Sequence, residues 1–268
     1  MPVKKDGTGK RWVEMEFVTP GTPEQVWQAM ATGPGNTAWF TKATIDERVG
    51  GEVRFDFGAD GSSIGEVTAW EPPKRIEYVE RDWSPGAPPV ATEITITSRA
   101  GDKCVVRMVH ALFSSSDDWD DQLESFESGW PSFFEVLRIY MTHFAGRKAT
   151  SFLAQVKIDG DHLSVWKRLT SAIGLAGVDA EQRWTTAHPQ QLSGIIERTQ
   201  QSLQMRLAIV RLEAPAPGVA MIGTYGGADK ISASVILYFY GDDRESAGAA
   251  GESRWREWLE ELFIKQTS

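Results

Sequence analysis

A change of hydrophobic period, from two residues to about 3.6, falls after the acidic run "SSSDDWDD" and constrains this chain more than any other feature. Before it, "GEVRFDFGADGSSIGEVTAWEPPKRIEYVERDW", "TEITITS" and "KCVVRMVHALF" alternate apolar and polar residues. They are broken at Ala59-Asp60-Gly61, Glu71-Pro72-Pro73 and Arg99-Ala-Gly-Asp102, as antiparallel strands joined by tight turns would be. After it, Leu123, Phe126, Trp130, Phe133, Phe134, Leu137, Met141 and Phe144 form one apolar stripe of a long helix, with Pro131 bending it or marking the start of its tighter portion. A stripe that wide needs a large apolar surface, and the concave side of a curved antiparallel sheet supplies one. The fold class is therefore α+β.

The start of the chain fits the same layout. A strand from Trp12 to Thr19 runs into "TPGTPEQVW", where Pro20 and Gly21 turn the backbone. Thr22 then caps a helix, Pro23 suits its first turn, and Val26, Trp27 and Met30 face inward. That helix is expected to end by Gly33-Pro34-Gly35. The order then recurs. "SFLAQVKID", a turn at Gly160-Asp161 and "HLSVWKRLTSAI" match the first strand and helix, with Val165-Trp166 in place of Val26-Trp27. Trp255, Trp258, Leu259 and Leu262 match Trp130, Phe133, Phe134 and Leu137. Between them lie strand candidates Gly194 to Glu197, Ser202 to Leu212, "GVAMIGTYG" and "KISASVILYFYG", broken by "APAPG" and "GGAD". Two domains are expected, residues 1–148 and a shortened or divergent copy over 149–268; a single composite domain is the alternative.

Several functions drop out on composition. The net charge of −9 and the lack of a sustained Lys/Arg run argue against nucleic acid. One cysteine, Cys104, allows neither an intrachain disulfide nor a multi-cysteine metal site, and it reads as a small buried hydrophobe. No apolar run long enough for a membrane span exists, and "MPVKKDGTGKRW" leads into no apolar segment, so the expected location is cytoplasmic, without membrane insertion. His143, His162 and His188 lack metal-ligand spacing, the glycine clusters lack phosphate-loop spacing, and no G-x-S-x-G elbow occurs. No catalytic residue, cofactor or metal is expected, and enzymatic activity is unsupported.

"VEMEFVTPGTPEQVWQAMATGPGNTAWF", "GGEVRFDF", "GEVTAWEPPKRIEYVERDW" and "GWPSFFEVLRIYM", in that order, resemble the activator of heat-shock-protein ATPase homologue (AHSA-type) family of the START-like, or SRPBCC, superfamily. The resemblance covers residues 12–145, with a weaker copy over 151–265. It implies a helix-grip fold, a curved sheet around a long C-terminal helix, in tandem on the repeat above. It also implies a small hydrophobic ligand as partner, held for sequestration, transport or sensing. A protein-interaction or chaperone-regulating module is the first alternative, and a polyketide-cyclase-like enzyme the second. On that layout the ligand-binding candidates are Phe55, Phe57, Val67, Tyr78, Met108, His110, Phe133, Phe134, Leu137 and Met141, with a packed core as the competing account of the apolar ones. His110 has the strand parity of Cys104, Val106, Met108 and Leu112, which turns it inward, to bind a ligand or serve as an acid or base, with a hydrogen-bonded structural histidine as the alternative. Arg54, Asp56, Glu80 and Arg81 are expected to face water, with a place at the cavity mouth as the alternative.

Overall fold

The computed structural model describes residues 3–58, 61–81, 83–84, 86–114, 116–202, 205–226, 230–249 and 251–265. The turn residues Ala59 and Asp60, the break at 227–229 and the side chain of Phe126 lie outside the described residues. The chain divides into two compact units, Met1–Gly146 and Arg147–Ser268.

The first unit is one antiparallel sheet of eight strands: β1 (Lys4–Lys5), β2 (Lys10–Pro20), β3 (Lys42–Ile45), β4 (Glu52–Asp56), β5 (Ser62–Glu71), β6 (Arg75–Glu80), β7 (Val90–Arg99) and β8 (Lys103–Phe113). Their order is β1-β2-β8-β7-β6-β5-β4-β3, so the long first strand pairs with the last. Helix α1 (Pro23–Ala31) follows β2. Thr22 and Gln25 close a reciprocal capping box at its start, and Val26, Trp27 and Met30 are buried. Helix α1 ends before the glycines, as expected, with Thr32 extended. Thr32 caps a second short helix, α2 (Gly33–Thr37), whose Gly35 lies so close to α1 that a Cβ there would meet the Gln28 carbonyl oxygen at 1.9 Å. Trp39 Nε1 then donates to the Ala29 carbonyl at 2.9 Å and ties the two helices together.

Helix α3 (Asp120–His143) runs unbroken through Pro131 and packs across the sheet, with Phe134 stacked on Phe17 of β2 at 3.8 Å. This is the helix-grip arrangement. The helix carries Leu123, Phe134, Leu137 and Met141 into the core.

The second unit repeats the plan with less. Its sheet is β9 (Ala149–Ile158), β10 (Arg183–Thr186), β11 (Leu192–Gln201), β12 (Met205–Ala214), β13 (Gly218–Gly226) and β14 (Ile231–Tyr240), in the order β10-β11-β12-β13-β14-β9. Again the first strand joins the last. Asp161 caps α4 (His162–Ala172), and α5 (Arg244–Gly248) leads to α6 (Gly251–Phe263), which has 13 residues against the 24 of α3. Trp184 Nε1 donates to the Ile173 carbonyl at 2.8 Å, the same indole-to-helix-end tie that Trp39 makes. Trp255, Trp258, Leu259 and Phe263 of α6 join Val165, Leu169, Val210 and Leu237 in one core. The four-residue edge strands β3 and β10 are too short to show a period in the sequence. Among the described residues no helix is long and apolar enough to cross a membrane.

Candidate ligand-binding site

Strand alternation and register set a row of polar side chains on the helix-facing side of the first sheet. Ile76, Tyr78 and Glu80 share one face of β6, and Tyr78 pairs with Thr92 of β7, which pairs with His110 of β8. On the other flank Gly65 of β5 pairs with Glu80, so Ser63 lies on the same face, and its hydroxyl donates to the Glu80 carboxyl. Thr92 Oγ1 and His110 Nδ1 are 2.9 Å apart. Ser63, Tyr78, Thr92 and His110 are all buried. Buried polar groups normally carry a hydrogen bond, and a row of five across four adjacent strands is a large polar investment for one core.

Burial sets the protonation of this row. It pushes His110 down to about 4, because an imidazolium would lose its water, so the ring is neutral at pH 7. It raises the Glu80 carboxyl above the ordinary range, against the bond from Ser63. The Tyr78 phenol is also raised, by burial first and then by Glu80, while a hydrogen bond with Thr92 acts the other way. Each shift favours the uncharged form.

An aromatic layer lies over the row. The Trp130 indole of α3 stacks on His110 at 5.7 Å and on Phe134 at 5.6 Å, both with 14° between the planes. Phe40 meets Trp130 at 4.6 Å and Phe133 at 5.0 Å, and it reaches Phe55 and Phe57 at 5.8 and 6.0 Å. Phe40, Phe57, Trp130 and Phe133 are only half-buried, whereas Phe55, Tyr78 and Phe134 below them are buried. Rings packed edge to face and offset in this way present flat apolar surface with little freedom to lose on binding.

The residues singled out from sequence divide between two places. Phe55, Phe57, His110, Phe133 and Phe134 are joined by the ring contacts just described, and Tyr78 meets Phe55 at 5.7 Å. Val67, Met108 and Leu137 are fully buried core positions. Met141 lies three turns along α3 from Trp130, where its Cε abuts the turn at Gly21. Glu80 is a correction. In place of the expected exposure to water, "RIEYVE" places it in the parity of Ile76 and Tyr78, and parity prevails over charge here. Thr92, Ser63, Phe40 and Trp130 were also missed as site residues; Thr92 had the inward parity of Ile94 and Ile96. Cys104 is buried, its thiol raised by burial and donating to the Gly21 carbonyl at 3.3 Å. A separate open pocket of about 380 Å³ lies in the second unit between Phe152 of β9 and Gly251 of α6. Glu252 and Arg256 in its wall pair with each other, so the chemistry concentrates in the first unit and not there.

The fold and site define a helix-grip domain with a polar-floored aromatic interior, followed by a smaller domain of the same plan. Residues 20–142 match the family described as activator of Hsp90 ATPase homolog 1-like protein. No curated protein matches the chain. Among solved structures it is similar to DynU16 of the dynemicin biosynthetic locus, at 19% identity over 94% of this chain and 95% of that one, with a TM-score of 0.43. It is also similar to the di-domain ARO/CYC BexL of the BE-7585A biosynthetic pathway, at 14% identity over 96% and 94%, with a TM-score of 0.45. Protein MLL2253 from Mesorhizobium loti is 24% identical over 50% of this chain and 98% of its own, with a TM-score of 0.45.

Proposed function

We propose that the first unit binds a small, largely apolar and flat molecule between α3 and the sheet, and holds it for sequestration, transport or sensing. The observation that carries this reading is the half-buried aromatic cluster around Phe40 and Trp130 set over a polar row in which Ser63, Tyr78, Thr92 and His110 are buried. Apolar enclosure supplies affinity and the few polar groups supply orientation. The family's name points instead to regulation of a chaperone ATPase; a polar row turned into the interior favours an enclosed ligand over a protein surface. No step of covalent chemistry is needed.

Native mass spectrometry of the protein recovered from its own cells tests the reading. The expected spectrum contains the chain with a bound species of one reproducible mass. The bare chain together with a stably co-purifying protein would transfer the assignment to the protein-interaction alternative.

A further inference from the structure

The second unit is an internal control for the polar row, because the two sheets can be superimposed strand by strand from register alone. Gly65 of β5 pairs with Glu80, and Gly194 of β11 pairs with Leu212. Each glycine is followed at the same spacing by a register shift, Val67/Ala69 in one sheet and Ile196/Arg198 in the other. Following the pairings outward from this anchor equates Tyr78 with Val210, Thr92 with Ala220 and His110 with Leu237. The path closes on an independent landmark. His110 pairs with Val13, nine residues before the helix cap Thr22, and Leu237 pairs with Phe152, nine residues before the helix cap Asp161.

All five polar positions of the first unit are aliphatic in the second. Ser63, Tyr78, Glu80, Thr92 and His110 become Leu192, Val210, Leu212, Ala220 and Leu237, each at 2% exposure or less and all within one hydrophobic core. The fold therefore closes at these places without hydrogen bonds, and packing them with aliphatics avoids the desolvation that buried polar groups suffer. Five coordinated departures from that packing in one unit call for a purpose other than folding.

The chemistry of the row narrows the purpose. Ser63 occupies one carboxyl oxygen of Glu80 from the β5 side. Glu80 shares the helix-facing parity of Tyr78, and burial raises its carboxyl, which favours the protonated form, an O–H donor, over the carboxylate. From this geometry we infer that Ser63 and Glu80 form a subsite for a neutral hydrogen-bond acceptor, a ketone-type carbonyl, on the flat apolar ligand, and that the chain has one such subsite. This rests on the ligand-binding reading above and adds the polar group recognised.

Calorimetric titration of the full chain with fluorene, 9-fluorenone and 9-fluorenol, which share one skeleton, tests the inference. The expected result is a preference for 9-fluorenone over fluorene of about tenfold, one hydrogen bond's worth of discrimination. Glu80→Leu, which installs the residue of the second unit, should abolish the preference. Glu80→Gln, which keeps a neutral donor, should retain it. Unchanged circular dichroism and thermal midpoints verify that both variants are folded. Equal binding of fluorene and 9-fluorenone overturns the subsite and leaves the ligand-binding reading intact. So does a preference for 9-fluorenol alone, the signature of an ionised, accepting carboxylate. Failure of all three compounds to bind overturns the reading and the subsite together.

Discussion

Neutral burial of His110 makes the first unit acid-sensitive between about pH 7 and 4.5. The folded value of about 4 lies below the ordinary 6.5, so as pH falls the unfolded chain takes up the proton first and the native state is left behind. Stabilisation from the neutral ring is present above pH 6.5, declines below it and is lost once pH falls through 4. At 1.36 kcal/mol per pH unit of separation the full loss is about 3 kcal/mol, of which about 2.5 kcal/mol falls between pH 7 and 4.5. Two neighbours must be kept apart from this effect. Glu14, held down at about 2 chiefly by Arg107 and then Lys4, loses its contribution below the window. Glu80 has the opposite sign, since its raised folded value lets the native state take the proton first as pH falls. The comparison is therefore between wild type and His110→Leu, in which every other group cancels. Cys104 is the only cysteine and is fully buried on β8, so urea-dependent labelling with 4,4′-dithiodipyridine reports unfolding of the first unit alone. The stability difference, wild type minus variant, should fall by about 2.5 kcal/mol from pH 7 to 4.5. A difference constant across that range would mean that His110 titrates normally, and the reasoning from burial would fail.

Loss of the indole tie by Trp39→Phe or Trp184→Phe should destabilise the unit concerned by about 1–3 kcal/mol, the cost of an orphaned buried carbonyl, in urea unfolding. Gly35→Ala forces a Cβ against the Gln28 carbonyl and should lower stability by about 1–3 kcal/mol or more. Gly129→Ala has open space on a helix and should raise stability by about 0.5–1 kcal/mol; equal effects at the two glycines would count against the packing described. Thr22→Ala removes one side of the capping box and should cost about 1 kcal/mol.

The alternation of "KCVVRMVHALF" and the stripe of α3 made the first sheet and its gripping helix legible, because burial on one face leaves a period in the sequence. The repeat was legible for the same reason at Val26-Trp27 and Val165-Trp166. Helix α2 was not, since "GPGNT" has poor helix propensity and is held by Thr32 and by close approach to α1. The site was half visible. His110 declared itself by parity, while Glu80, with equally clear parity, was hidden by the expectation that a carboxylate seeks water. Ser63 and Thr92 gave no chemical signal on their own, since each matters through a partner 17 or 18 residues away that only the register supplies. Phe40 sits after an irregular segment where no period exists to assign its direction.

The indole region of a ¹H–¹⁵N spectrum, with each of the eleven tryptophans assigned, tests ligand binding by the first unit when 9-fluorenone is added to the full chain. The account predicts shifts at Trp130 and Trp39, which flank the aromatic cluster, with Trp184, Trp255 and Trp258 of the second unit unmoved. Shifts confined to the second unit, or none at saturating probe, would contradict it.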